Sequence, residues 1–169
     1  MACARKAFAP LRSRLPLLAL LVLASLLPGI AAAQRALSAG QHLYLPIYAF
    51  IQHGDLDGKG VAKRLPVSAL VSIHNTDLAK PISLLSARSY STEGNYLRNF
   101  LASTRVLKPM ETLEFLVERR DGVGGSGANF VIQWEATGPV SPPLVQALHV
   151  EMQTNRAIVF TTDAVVIPR

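Results

Sequence analysis

Cysteine is all but missing. The 169-residue chain holds one, Cys3, whereas a disulfide framework or a thiolate metal centre needs several. Both are excluded, and the fold has to be held by burial. Charged residues make up 17% and aromatics 7%, with a single Trp. The four histidines, His42, His53, His74 and His149, stand apart, with no His-x-x-x-His spacing and no Cys partner. An envelope metal-binding protein built from such scattered imidazoles is the weaker alternative to the function drawn below. Neither a resident metal nor a cofactor is expected.

Long apolar runs are missing too, apart from Leu15 to Leu27, which is broken only by Pro16 and Ser25. Arg5, Lys6, Arg12 and Arg14 precede this run, and Pro28-Gly29 and Ala31-Ala32-Ala33 follow it. A basic start, an apolar centre and a small-residue end make a secretory signal peptide. The run is shorter than the ~20 residues that span a bilayer. Residues 1–33 are therefore expected to be cleaved before Gln34, leaving no stable membrane anchor and a periplasmic or secreted chain. The formal charge of +6 is largely a property of this leader, which holds 4 of the 17 Lys and Arg and none of the 11 Asp and Glu. No basic patch with interleaved aromatics remains, which argues against a nucleic-acid partner.

The stretch Asp121 to Ala136 (DGVGGSGANFVIQWEA) contains four of the 11 glycines and the Trp. Two readings of this loop compete. Freed backbone N–H groups form a nest for an anion or for a partner's backbone, or the loop is a long, flexible hairpin connection. A phosphate-binding loop requires Lys and Ser or Thr after its last Gly, then a helix; here Ala128-Asn129-Phe130 opens a strand. GGSGA has the wrong spacing and context for the G-x-S-x-G nucleophile elbow, which leaves a hydrolase using Ser126 as a remote alternative. If the loop is a site, its residues are Arg119, Arg120, Gly124, Gly125, Ser126, Gly127 and Asn129. No nucleophile, base and orienter set is present, so no catalytic residue and no enzyme is expected.

Period-two alternation runs through the rest of the chain. Phe130, Ile132 and Trp134 share one face; Val67, Ala69, Val71 and Ile73 another; Leu113, Phe115 and Val117 a third. Strands are expected at Leu43 to Gln52, interrupted by Pro46, and at Leu65 to Ile73, Ile82 to Thr92, Tyr96 to Ala102, Thr112 to Glu118, Leu144 to Met152 and Ala157 to Ile167. The segments His53 to Gly60, His74 to Asp77 and Glu93 to Asn95 read as turns, the middle one built on Asx hydrogen bonds. Thr137 to Pro143 reads as an extended connection. The fold class is all-β, an antiparallel immunoglobulin-like β-sandwich of about seven to eight strands. A flexible segment 34–42 precedes one domain, residues 43–169.

SIHNTD at Ser72 to Asp77, GGSGANFVIQW at Gly124 to Trp134 and Pro142-Pro143-Leu144 resemble a family of small exported bacterial proteins catalogued only as a domain of unknown function. The resemblance covers roughly Leu43 to Ile167. It implies bacterial origin and an envelope location, and no activity. Relatives of this kind often carry a lipoprotein Cys, which this sequence lacks after its apolar run. The function expected is a non-catalytic exported binding or protein-interaction module, with another envelope protein or a small anionic ligand as partner. Protein recovered from an envelope fraction should have the intact mass of a chain beginning at Gln34; a mass that includes Met1 to Ala33, with extraction only by detergent, refutes cleavage.

Overall fold

The structure, a computed structural model, describes residues 35–168; the leader lies outside them. The described residues form twelve strands: β1 (Ser38–Ile47), β2 (Phe50–His53), β3 (Lys63–Pro66), β4 (Ser68–His74), β5 (Ile82–Tyr90), β6 (Tyr96–Asn99), β7 (Arg105–Leu107), β8 (Thr112–Val117), β9 (Ala128–Val140), β10 (Leu144–Gln153), β11 (Arg156–Asp163) and β12 (Val165–Ile167). One antiparallel sheet has the order β12-β1-β9-β5-β6, with β7 also on β5; the other runs β11-β10-β4-β8, and β2 and β3 form a separate hairpin. The count exceeds the seven to eight expected because β2, β3, β7 and β12 are only three or four residues long, too short to show alternation.

The alternation becomes a core where strands bring their apolar faces into register. Leu45 lies opposite Phe130, Leu43 opposite Ile132 and Gln41 opposite Trp134 across β1 and β9, and Ala87 and Leu84 meet Ile132 and Trp134 from β5. Val71 and Ile73 of β4 and Val145 and Ala147 of β10 close the sandwich from the other sheet, all almost fully buried. Burying each larger aliphatic or aromatic side chain contributes roughly 1.5–3 kcal/mol, and that replaces what disulfides supply elsewhere.

Some boundaries differ from the sequence reading, each for a local reason. The strand expected over Leu43 to Gln52 is two: β1 ends at Ile47 and β2 starts at Phe50, while the N–H of Ala49 turns to the Gly125 carbonyl at 3.1 Å. At its other end β1 reaches back to Ser38, inside the segment 34–42 expected to be loose, because Ser38 pairs with Val140 past a bulge. β9 therefore runs on through Val140, into the stretch expected to be a connection. β6 stops at Asn99, short of Ala102, since the Asn99 Oδ1 accepts the N–H groups of Ala87 at 2.9 Å and Leu101 at 3.3 Å. The ambiguous Leu144 to Met152 segment is strand β10.

The Asx reading of SIHNTD is the observed one. Asn75, 1% exposed, accepts the Asp77 N–H at 3.0 Å and through Nδ2 donates to the carbonyls of Lys80, Leu107 and Lys108 at 2.9, 3.2 and 2.9 Å. Asp77 accepts from Ala79, Lys80 and Ser141 N–H; these bonds, that of Ala79 first, hold its carboxyl below the usual carboxylate range.

His149 is the one fully buried imidazole among the described residues. Its Nε2 accepts the Tyr48 N–H at 3.1 Å, and its ring stacks on Phe160 with centroids 4.5 Å apart. Burial pushes its pKa below the ordinary histidine value; the carbonyls of Ala147 and Phe160 oppose that shift without bonding Nδ1, which lacks a partner. The unfolded chain takes up a proton near pH ~6.5 that the folded one refuses, so stability is complete above that pH and falls as pH drops below it. The urea midpoint should decline from about pH 7.5 to 5.5, and His149→Phe, which keeps the stacking, should flatten that decline. An unchanged slope in the variant would assign the pH dependence elsewhere.

Candidate functional site

The glycine-rich loop joins β8 to β9, which lie in different sheets, so it crosses from one layer to the other and is not a hairpin. It is pinned along its length. The Thr92 N–H and hydroxyl donate to the Gly124 carbonyl at 2.9 and 3.0 Å, and the same hydroxyl accepts the Gly127 N–H at 2.9 Å. Gly125 donates to the Gly122 carbonyl at 3.2 Å and accepts from Ala49.

Close approach explains the glycines. Gly125 sits at φ +79°, and a Cβ there would overlap the Thr92 hydroxyl; at Gly124 it would lie 2.7 Å from the Ala128 Cβ, and at Gly127 3.2 Å from the Thr92 Cγ2. The N–H groups of Gly125 and Gly127 are thus spent inside the protein, which removes donors that an anion nest needs. Arg119 and Arg120 do not turn to the loop either. Arg119 pairs with the buried Glu151 at 3.1 Å and Arg120 with Glu118. Ser126 makes no side-chain hydrogen bond among the described residues, and the four histidines lie on β1, β2, β4 and β10. No group of three or more metal-capable side chains comes together among the described residues.

What the loop does create is a cavity of about 240 Å³, lined at its base by Ile47, Ala49, Phe100, Val117, Ala128 and Phe130. Gly124 and Asn129 contribute to its wall, so two of the seven expected site residues reach it, with Val123 at 73% exposure on the loop above. At the mouth, Arg98 donates to Asp121 at 2.7 Å while its guanidinium lies 4.2 Å from the Phe100 ring centre. Phe100 in turn packs on Phe130 and Phe115, ring centres 4.8 and 5.6 Å away. The chemistry available is that of a greasy slot with a neutralised charge pair at its rim. Arg98 and Phe100 escaped the sequence reading because YLRNFLA alternates like any strand; nothing local marks Arg98 as facing Asp121, 23 residues away.

A family model described as a protein of unknown function (DUF3124) matches residues 40–167. No curated protein matches the chain. A solved structure titled "Crystal Structure of Thermotoga maritima 1070" is similar with a TM-score of 0.41 and 14% identity, over 74% of this chain and 92% of that one.

Gly125→Ala should cost roughly 1–3 kcal/mol, since it strains a left-handed φ and displaces Thr92. Gly58→Ala, in open space without positive φ, should stay within about 0.5 kcal/mol. Urea unfolding of both variants checks this; equal effects would mean that the loop is not pinned.

Proposed function

Since this chain belongs to the DUF3124 family of proteins of unknown function, a membership that assigns no activity, we propose from its surface that it is an exported, non-catalytic binding module whose cavity under the glycine-rich loop receives an apolar group. Export to the periplasm or beyond rests on the leader, and the bacterial envelope setting on the family resemblance. We take the sandwich as immunoglobulin-like in layout, because consecutive strands change sheet at β4 to β5, β7 to β8, β8 to β9 and β9 to β10.

The observation that carries this reading is the cavity itself. Small-molecule sites are concave, mostly apolar clefts with a few polar groups at their rim, and an apolar space of about 150 Å³ is already enough to hold benzene. At about 240 Å³, the space suits one substituted or fused ring, or a branched chain of similar bulk. The group should be uncharged, because Arg98 and Asp121 already neutralise each other and the remaining wall is mostly carbon. That makes a neutral apolar group a better fit than the small anionic ligand anticipated from the loop's sequence.

Indole and naphthalene are the probes of choice, titrated while following the amide signals of Ala49, Ala128 and Phe130 by NMR. Both should saturate at about millimolar concentration or below. Ala49→Leu fills the base of the cavity, so it should raise stability by about 0.5–2 kcal/mol and weaken both probes at least tenfold. Absence of probe binding to the wild-type protein would leave the cavity a packing defect and refute the proposal.

A further inference from the structure

The cavity opens on a side of the sandwich where both sheets end. β8 has a partner, β4, on one side only, and β6 ends the other sheet. Between them lies a second, shallower depression that shares Arg98, Phe100 and Asp121 with the cavity mouth and is bordered on the β8 side by Leu116 and Glu118, with Arg120 beyond. Along the free side of β8 no backbone hydrogen bond is made to another segment among the described residues.

Natural proteins blunt exposed edge strands with Pro, Lys, bulges or a covering segment. β8, TLEFLV, carries no Pro and no Lys; its one charge, Glu114, accepts the Ser72 hydroxyl of β4 at 3.1 Å, and its pairing with β4 is regular from Ala69 opposite Val117 to His74 opposite Thr112. Two exposed large apolar side chains border the depression and the cavity, Leu116 of β8 at 59% and Val123 of the loop at 73%. Exposed apolar surface gathered beside one concavity marks an interaction site.

We infer that β8 is a docking edge for an extended peptide segment of a partner protein, which adds to the sheet as a further antiparallel or parallel strand and inserts one apolar side chain into the cavity. This inference rests on the cavity reading above and specifies the occupant. Strand addition takes affinity from main-chain hydrogen bonds and specificity from pockets for alternate side chains, and both parts are present: an unpaired edge and, next to Val117 at its end, a hole lined by Phe100 and Phe130. Charge favours a peptide backbone over an ionic ligand. Of the four charged residues around the depression, Arg98 pairs with Asp121 and Arg120 with Glu118, leaving a net-neutral floor suited to a chain of neutral amides.

The test is selection of random twelve-residue peptides displayed on phage against the purified protein, followed by NMR with the synthetic winner. Selected peptides should share alternating apolar positions with one aromatic residue, slow the hydrogen exchange of β8 amides and lose at least tenfold in affinity when a single inward-facing amide is N-methylated. Ala49→Leu should weaken them by a similar factor. Peptides that bind as helices, that protect β11 or the β2–β3 hairpin in place of β8, or that ignore N-methylation would overturn the inference, as would a failure to select any. Sedimentation showing a dimer formed through β8 would give the edge to a second copy and overturn it likewise. Saturable indole or naphthalene binding alongside any of those results would leave the cavity reading intact, so the two can fail separately.

Discussion

One hydroxyl sets the shape of the cavity end of this domain. Thr92 Oγ1 donates to the Gly124 carbonyl and accepts the Gly127 N–H, which draws the crossing between the two sheets down onto the turn after β5. That approach leaves no room for a Cβ at Gly125 and little at Gly127, so glycine is needed there for space as much as for backbone freedom. With the crossing held there, Val123 and Gly124 stand over the gap between the sheets, and the gap becomes a walled cavity. An unpinned crossing of the same composition would cost entropy to order on binding; this one meets that cost on folding.

The layers of the fold were readable in the sequence because its main strands alternate cleanly and each inward set is apolar. Phe130, Ile132 and Trp134 were placed on one buried face from spacing alone, and that face lies against Leu45, Leu43 and Gln41. Strand ends were less readable, since they depend on single side-chain bonds such as those of Asn99 or on a bulge at Ser38, which no periodicity reports. The site was hardest. The glycines drew attention to the loop that covers the cavity, but spacing could not tell that the N–H groups of Gly125 and Gly127 are consumed by the Gly122 carbonyl and the Thr92 hydroxyl, or that Arg119 and Arg120 turn to Glu151 and Glu118. The residues that define the cavity come from Ile47, Phe100, Val117 and Phe130, four separate strands or strand ends, and convergence of that kind is a property of topology.

Charge is arranged to cancel locally. Arg98 with Asp121, Arg105 with Glu111 and Arg119 with Glu151 are each within 3.1 Å, and Arg98 and Asp121 are the two charged residues that line the cavity. The first two pairs, exposed on the arginine side, contribute little to stability, about 0–1 kcal/mol each, whereas Arg119 reaches a buried Glu151. At the mouth of the cavity the paired charges leave no net local charge to steer an ion.

Asn75 acts at the opposite end of β4 with a comparable economy. Its amide group holds three carbonyls from two separate segments, those of Lys80, Leu107 and Lys108, the geometric task that a cross-link performs in many exported domains of this size. A hydrogen-bonded clip carries no oxidation state. The described domain can therefore reach the same fold in a reducing or an oxidising compartment, with no oxidant, no isomerase and no mispaired intermediates, and its assembly is indifferent to the redox poise of wherever it is made or delivered.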